Sequence, residues 1–138
     1  MNVEQSRLRL RPLPRPGRPT YERRQQRSEN AADALELALT GAAERGHLDA
    51  VLLVDDSGML VAQSHTELDL TMLAAVTPIV GRGQAVPRVR RDGQLCELSV
   101  DTMEFEDELL FVAALGGSHR TRSRELRGTK AAARRILA

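Results

Sequence analysis

The residue types that carry most enzymatic chemistry are few in this chain, and they are scattered. There are three histidines and one cysteine. His47 falls near the end of the first predicted helix, His65 ahead of the second and His119 ahead of the last, so no two share the spacing of a metal site or a general acid–base pair. Cys96 alternates with Leu98 and Val100 on one face of a predicted strand and has no histidine close in sequence. It is therefore expected to be a core residue and not an activated thiol. Asp55-Asp56-Ser57-Gly58 lacks the alternating oxygen ligands and closing glutamate of a calcium loop, and Glu104, Glu106, Asp107 and Glu108 fit a solvated acidic connection. Gly81-Arg82-Gly83 follows a helix, whereas dinucleotide and phosphate loops follow a strand. The sequence thus assigns no catalytic residue, metal ligand or cofactor, and a non-enzyme is expected.

The composition narrows this further. A chain of 138 residues suits one domain, and 41% hydrophobic residues with only 2% aromatics imply a core of Leu, Val, Ile and Ala, without stacking platforms for bases or sugars. A single cysteine excludes an internal disulfide framework and fits a reducing compartment. No apolar run approaches the roughly 18 residues of a membrane span, and the N-terminus is rich in arginine and proline where a signal peptide would be apolar. A cytoplasmic protein is expected.

Charge is segregated. Residues 1–27 hold eight arginines and two glutamates, residues 28–117 sixteen acids against five arginines, and residues 118–138 seven basic groups against Glu125. The basic ends invite a nucleic-acid reading, but the body between them is acidic and nearly free of aromatics, so the electrostatic footprint is split and nucleic acid is not the expected partner. Pro12, Pro14, Pro16 and Pro19 interleave with arginines in the first block, which has too little apolar surface to offset the entropy of ordering. Residues 1–27 are expected to be a disordered Arg/Pro-rich tail, either a docking segment or a solvated leader.

From Ser28 onward, periodicity places the elements. Leu35, Ala38, Leu39 and Ala42 recur at helical spacing, with Ser28 as the expected cap and Gly46 as the expected end. Ala50–Val54 and Met59–Ala62 are apolar, strand-forming runs on either side of an acidic turn. Thr66-Glu67-Leu68-Asp69 has the form of a capping box and predicts a second helix with its body from Leu70 to Val80. That body is apolar all round, with Leu70, Leu73, Ala74 and Val80 on one face and Met72, Ala75, Val76 and Ile79 on the other. One face can lie on the sheet, and the other then calls either for a partner or for a fully central position. Pro78 should bend or stop the helix. Strands follow at Ala85–Arg91, Gln94–Thr102 and Leu109–Leu115, and Pro87 confines its strand to an edge or bulge. A last helix carries Leu126, Ala133, Ile136 and Leu137, with arginines on its remaining surface.

This order, together with the stretch from Leu48 to Ala62, resembles the roadblock/dynein light-chain family over about residues 29–138; PAS, profilin-like and longin domains share parts of it. The resemblance implies an α+β fold, residues 28–138 forming a five-stranded antiparallel sheet with one helix on one face and two on the other. It also implies homodimers joined through the second helix and the middle edge strand, here Thr71, Met72, Ala75, Val76 and Ile79 with Val86, Arg88 and Arg90. Family members lack catalytic residues of their own, and many bind or regulate Ras-like small GTPases, the bacterial gliding-motility regulators being nearest in general character. The exposed apolar surface left by paired helices, rimmed by Glu67, Asp69 and Arg82, is the expected partner-binding patch. A ligand-sensing PAS or profilin-like domain, or a scaffold for another protein, is the alternative.

Overall fold

The strand Ala50–Asp55 (β1) has a strand on each side of it in the sheet, and Ala50 through Val54 are all fully buried. A run with no polar member can be buried only if both faces of its sheet are covered. In this computed structural model the backbone of residues 18–83, 88–91 and 94–138 is described, with side chains from residues 29–83 and 96–138. Residues 1–31 and 32–138 form two separate units. The elements in chain order are α1 (Arg18–Gly46), β1, β2 (Leu60–Gln63), α2 (Thr71–Gly81), β3 (Arg88–Arg91), β4 (Gln94–Phe105), β5 (Glu108–Leu115) and α3 (His119–Leu137).

Four strands in the order β2-β1-β5-β4 make one antiparallel sheet, and β3 is added beyond β4. The expectation of five strands resolves into four plus a short extension. Leu98 to Phe105 of β4 pair with β5, whereas β3 pairs with Gln94 to Glu97 of the same strand. Along β1 and β5 the side chains alternate between two cores. Val51, Leu53, Leu110, Val112 and Ala114 pack under Leu35, Leu39 and Ala42 of α1 and Leu126 and Ala133 of α3. Ala50, Leu52, Val54, Ala113 and Leu115 pack under Leu70, Leu73 and Ala74. One helix therefore covers one face and two cover the other, as the resemblance implied.

Two helix starts are corrected. α1 begins at Arg18, ten residues before the expected Ser28 cap. Its early residues include the strong helix formers Glu22, Arg23, Arg24, Gln25 and Gln26, and Pro19 falls in the first turn, where its missing N–H costs little, so nothing in the sequence forces a start at Ser28. The expected tail boundary at residue 27 thus falls inside a helix, and residues 1–17 lie outside the described residues. The capping box at Thr66 does not form either. The Thr66 hydroxyl accepts from the Leu68 N–H (3.2 Å) and the Asp69 carboxylate from the Thr71 N–H (3.0 Å), each closing a local turn, so the helix starts only at Thr71.

α1 ends at Gly46, as expected, although the left-handed residue after it is His47 (φ 52°) and not the glycine. Gly46 is required for a different reason: a β-carbon there would lie 2.8 Å from Thr121 Cγ2, where the last turn of α1 meets α3. Arg122 contradicts the expectation of arginines confined to the surface of α3, because only 2% of it is exposed. Its guanidinium donates to the Gly116 and Gly117 carbonyls (2.9 and 2.8 Å), the Ser99 hydroxyl (2.8 Å) and Glu97 (2.8 Å), so each of its three nitrogens has an acceptor.

Candidate protein-binding surface

The acidic turn after β1 is held by one carboxylate. Asp55 Oδ1 accepts from the Ser57 N–H, the Ser57 hydroxyl and the Met59 N–H at 2.8–3.0 Å. The Met59 and Ser57 donors hold the Asp55 carboxyl below its ordinary value. These residues therefore build a turn, and Gly58 supplies its left-handed residue (φ 90°). A β-carbon on Gly58 would lie 3.1 Å from the Ala75 Cα, so the turn rests directly against α2. Val61 is the extra residue of a bulge between the pairs Leu53–Ala62 and Val54–Leu60. It and Met59 are 41% and 65% exposed, apolar surface that strand periodicity alone does not reveal.

On α2 the apolar residues divide by face. Leu73, Ala74, Thr77 and Pro78 are buried against the sheet, and the Thr77 hydroxyl is satisfied by the Leu73 carbonyl at 2.8 Å. Pro78 does not stop the helix, which continues to Gly81 with Pro78 itself buried on the inner face. Met72 (76% exposed) and Ile79 (42%) point outward with Thr71 and Ala75, and Val76 is half-buried. All five helix residues expected at a dimer interface therefore share the outer side of α2. Of the strand residues, Val86 lies outside the described residues, and Arg88 and Arg90 lie on β3 with side chains outside the description.

The three rim residues are placed at the two ends of α2. Glu67 and Asp69 are exposed ahead of it, and the N–H and hydroxyl of Thr71 lower the Asp69 pKa. Arg82 is exposed at the C-terminal end, donates to the Asp56 carbonyl at 3.3 Å and lies 5.4 Å over the Phe111 ring. A negative group at the start and a positive one at the end also suit the helix dipole. Gly81 makes this close seat possible, since a β-carbon there would lie 2.5 Å from Phe111. The helix ends at Gly81, and Gly83 follows in a left-handed turn (φ 75°) whose N–H donates to the Val80 carbonyl.

The histidines are not as isolated in space as in sequence. His47 and His65 line one shallow cleft of about 360 Å³ with Glu44 and Asp49, while His119 faces another of about 520 Å³ with Glu97, Asp101 and Ser123. The first grouping forms because the Thr40 hydroxyl accepts from the His65 N–H at 2.9 Å, drawing the end of β2 onto α1. Among the described residues no three His, Cys, Asp or Glu side chains form a group that could hold a metal ion. Cys96 is half-buried against the α2 side of the core. Among the described residues no helix is long and apolar enough to cross a membrane.

No protein-family model matches the chain, and no curated protein matches it in sequence. Solved structures match it in fold. The gliding protein MglB of Thermus thermophilus superposes with a TM-score of 0.58 at 13% identity, over 77% of this chain and 90% of that one. Myxococcus xanthus MglB gives 0.53 at 13% identity, over 76% and 88%. An MglB described with a tetrameric arrangement gives 0.53 at 16% identity, over 80% and 89%. The chain shares the fold of these proteins, the roadblock arrangement its sequence resembles.

Proposed function

We propose that this protein is a non-catalytic, cytoplasmic, homodimeric platform that regulates or tethers a Ras-like small GTPase. The carrying observation is the exposed apolar stripe on α2, from Met72 to Ile79. An 11-residue helix is only about 16 Å long, so its face alone makes a small interface, and the edge strand β3 extends it. The fold shared with MglB, a gliding protein, supports a regulatory role at the level of architecture. The GTPase itself comes from the family resemblance, and it docks across the paired helices between Glu67 and Asp69 at one end and Arg82 at the other.

Arg82 is already engaged by the Asp56 carbonyl and the Phe111 ring, which favours an effect through positioning the GTPase's own groups over a supplied arginine finger. The test begins with mass. Sedimentation should give a dimer for the wild type, and Val76→Asp should give a monomer of unchanged helix content, since it places unpaired charges against like charges. A wild-type monomer at micromolar concentration would overturn the reading. The purified dimer should also capture a small GTPase in one nucleotide state, and Arg82→Ala should leave any stimulation of hydrolysis largely intact.

A further inference from the structure

The side of the sheet away from α2 has a surface of its own, and its charges are arranged in two opposed stripes. From residue 32 onward the outer side of α1 exposes Asp33, Glu36 and Glu44. The outer side of α3 exposes Arg120, Arg124, Arg127, Arg134 and Arg135. Arg124 is tied to Glu125, but among the described residues no ion pair joins Arg127, Arg134 or Arg135 to a carboxylate. On the α1 side, Leu37 is 73% exposed, a large apolar group on an otherwise charged stripe. On α3, Gly128 and Ala131 keep the stripe low, and a β-carbon on Gly128 would meet nothing within 4 Å.

We propose that this face is a second self-association surface, on which another copy of the chain docks with each α1 lying over the other copy's α3. The geometry follows from topology. Only short connections join α1 to β1 and β5 to α3, so each helix folds back along its strand; because β1 and β5 are antiparallel, α1 and α3 are antiparallel too. Arg45 and Glu125, 3.2 Å apart, fix their register. Nine residues back along α1 from Arg45 is Glu36, and nine forward along α3 from Glu125 is Arg134, so at about 1.5 Å per residue the two stand level. Glu44 stands within a turn of Arg127.

A twofold axis parallel to the helices preserves these levels and exchanges the helices. Glu36 of one copy then faces Arg134 of the other and Glu44 faces Arg127, each contact made twice, with Leu37 entering the low region around Gly128 and Ala131. A twofold perpendicular to the helices would set acid on acid and base on base, so the charges select one of the two isologous arrangements. A second copy also fits better than a polyanion, because the acidic stripe beside the arginines repels a polyanion.

The experiment is a charge exchange in the full chain. Glu36→Arg/Glu44→Arg makes both stripes positive, and Arg127→Glu/Arg134→Glu makes both negative. By sedimentation velocity in low salt, the wild type should show a species of twice the mass of its α2-joined assembly, lost in about 1 M salt. Each variant alone should lack it, and an equimolar mixture should restore it, which a merely misfolded variant cannot do. Repeating the series in a Val76→Asp background separates this surface from the α2 one: the mass should fall by half again with either charge variant, whether or not α2 pairs. The proposal is overturned if the wild type shows no such species at about 100 µM, or if the mixture fails to restore it. It is also overturned if the arginine variant loses only retention on polyphosphate while its mass matches the wild type.

Discussion

The two sides of the sheet solve the same problem with different means. On the α1/α3 side, two helices cover Val51, Leu53, Val112 and Ala114, and buried polar groups tie the layer down: Arg122 to the Gly116 and Gly117 carbonyls, and Glu125 to Arg45 and Arg124. On the α2 side, a single 11-residue helix covers Leu52, Val54 and Leu115 mainly by contact, with Gly58 and Gly81 allowing close approach and the Arg82–Asp56 bond just past its end. A layer built from directional bonds resists displacement. A layer built from close contact can slide and re-pack, and it leaves its outer side apolar. The helix with the fewest directional ties is the one proposed to meet partners.

The sharpest way to break that comparison is a matched pair of cavities. Leu52 and Leu53 are neighbours, both fully buried, one facing each side. Leu→Ala costs about 2–5 kcal/mol, depending on how far the surroundings collapse. Leu53→Ala, under the tied pair of helices, should cost about 4 kcal/mol in denaturant unfolding, and Leu52→Ala, under the lone helix, about 3 kcal/mol. Equal costs, or the reverse order, would mean that the two layers yield alike.

A smaller effect tests the polar tie itself. Arg122→Met keeps much of the volume but leaves two carbonyls without their donor, for a loss of about 2 kcal/mol. The ion pair contributes little of this because Glu97 is 54% exposed, so Glu97→Gln should be nearly silent in the same measurement. If Glu97→Gln cost as much as Arg122→Met, the charge and not the carbonyl contacts would be the tie.

The smallest effect lies at the turn beneath α2. Asp55→Ala removes the acceptor for three donors at an exposed site and should cost about 1 kcal/mol at neutral pH. Because the folded pKa of Asp55 lies below its unfolded value, this contribution is present above that unfolded value near pH 4 and disappears as pH falls through the folded one. The stability gap between wild type and Asp55→Ala should therefore close on acidification, as followed by thermal unfolding from about pH 7 to about pH 2. A gap that stayed constant would mean that the carboxylate's charge is not what the turn uses.

Much of this was legible in the sequence where a residue's type dictates its place. The apolar run of β1, the Asp55-to-Gly58 turn and the two faces of α2 follow from periodicity and turn chemistry. The start of α1 was not legible, because Ser28 is a good cap only if the preceding residues decline to be helical, and these do not. Arg122 was missed because arginine usually belongs on the surface; its burial depends on carbonyls freed at the Gly116-Gly117 bend. The His47–His65 cleft depends on β2 meeting α1, a long-range contact that no local pattern encodes.

The offset of β3 along β4 has a mechanical meaning. Gln94 to Cys96 pair with β3 at a point where β4 has run past the end of β5, so this stretch is a two-stranded arm extending from the sheet. An arm of two strands has little stability of its own. A pull or twist applied at β3 reaches the body through β4 alone, and the pivot falls at Glu97 to Ser99. Arg122 grips both of those side chains there, and the Gly116 N–H holds the Glu97 carbonyl at 3.0 Å. A partner seated on the edge strand would work a lever whose fulcrum is a buried arginine, and its first effect inside the protein would fall on the bend that begins α3.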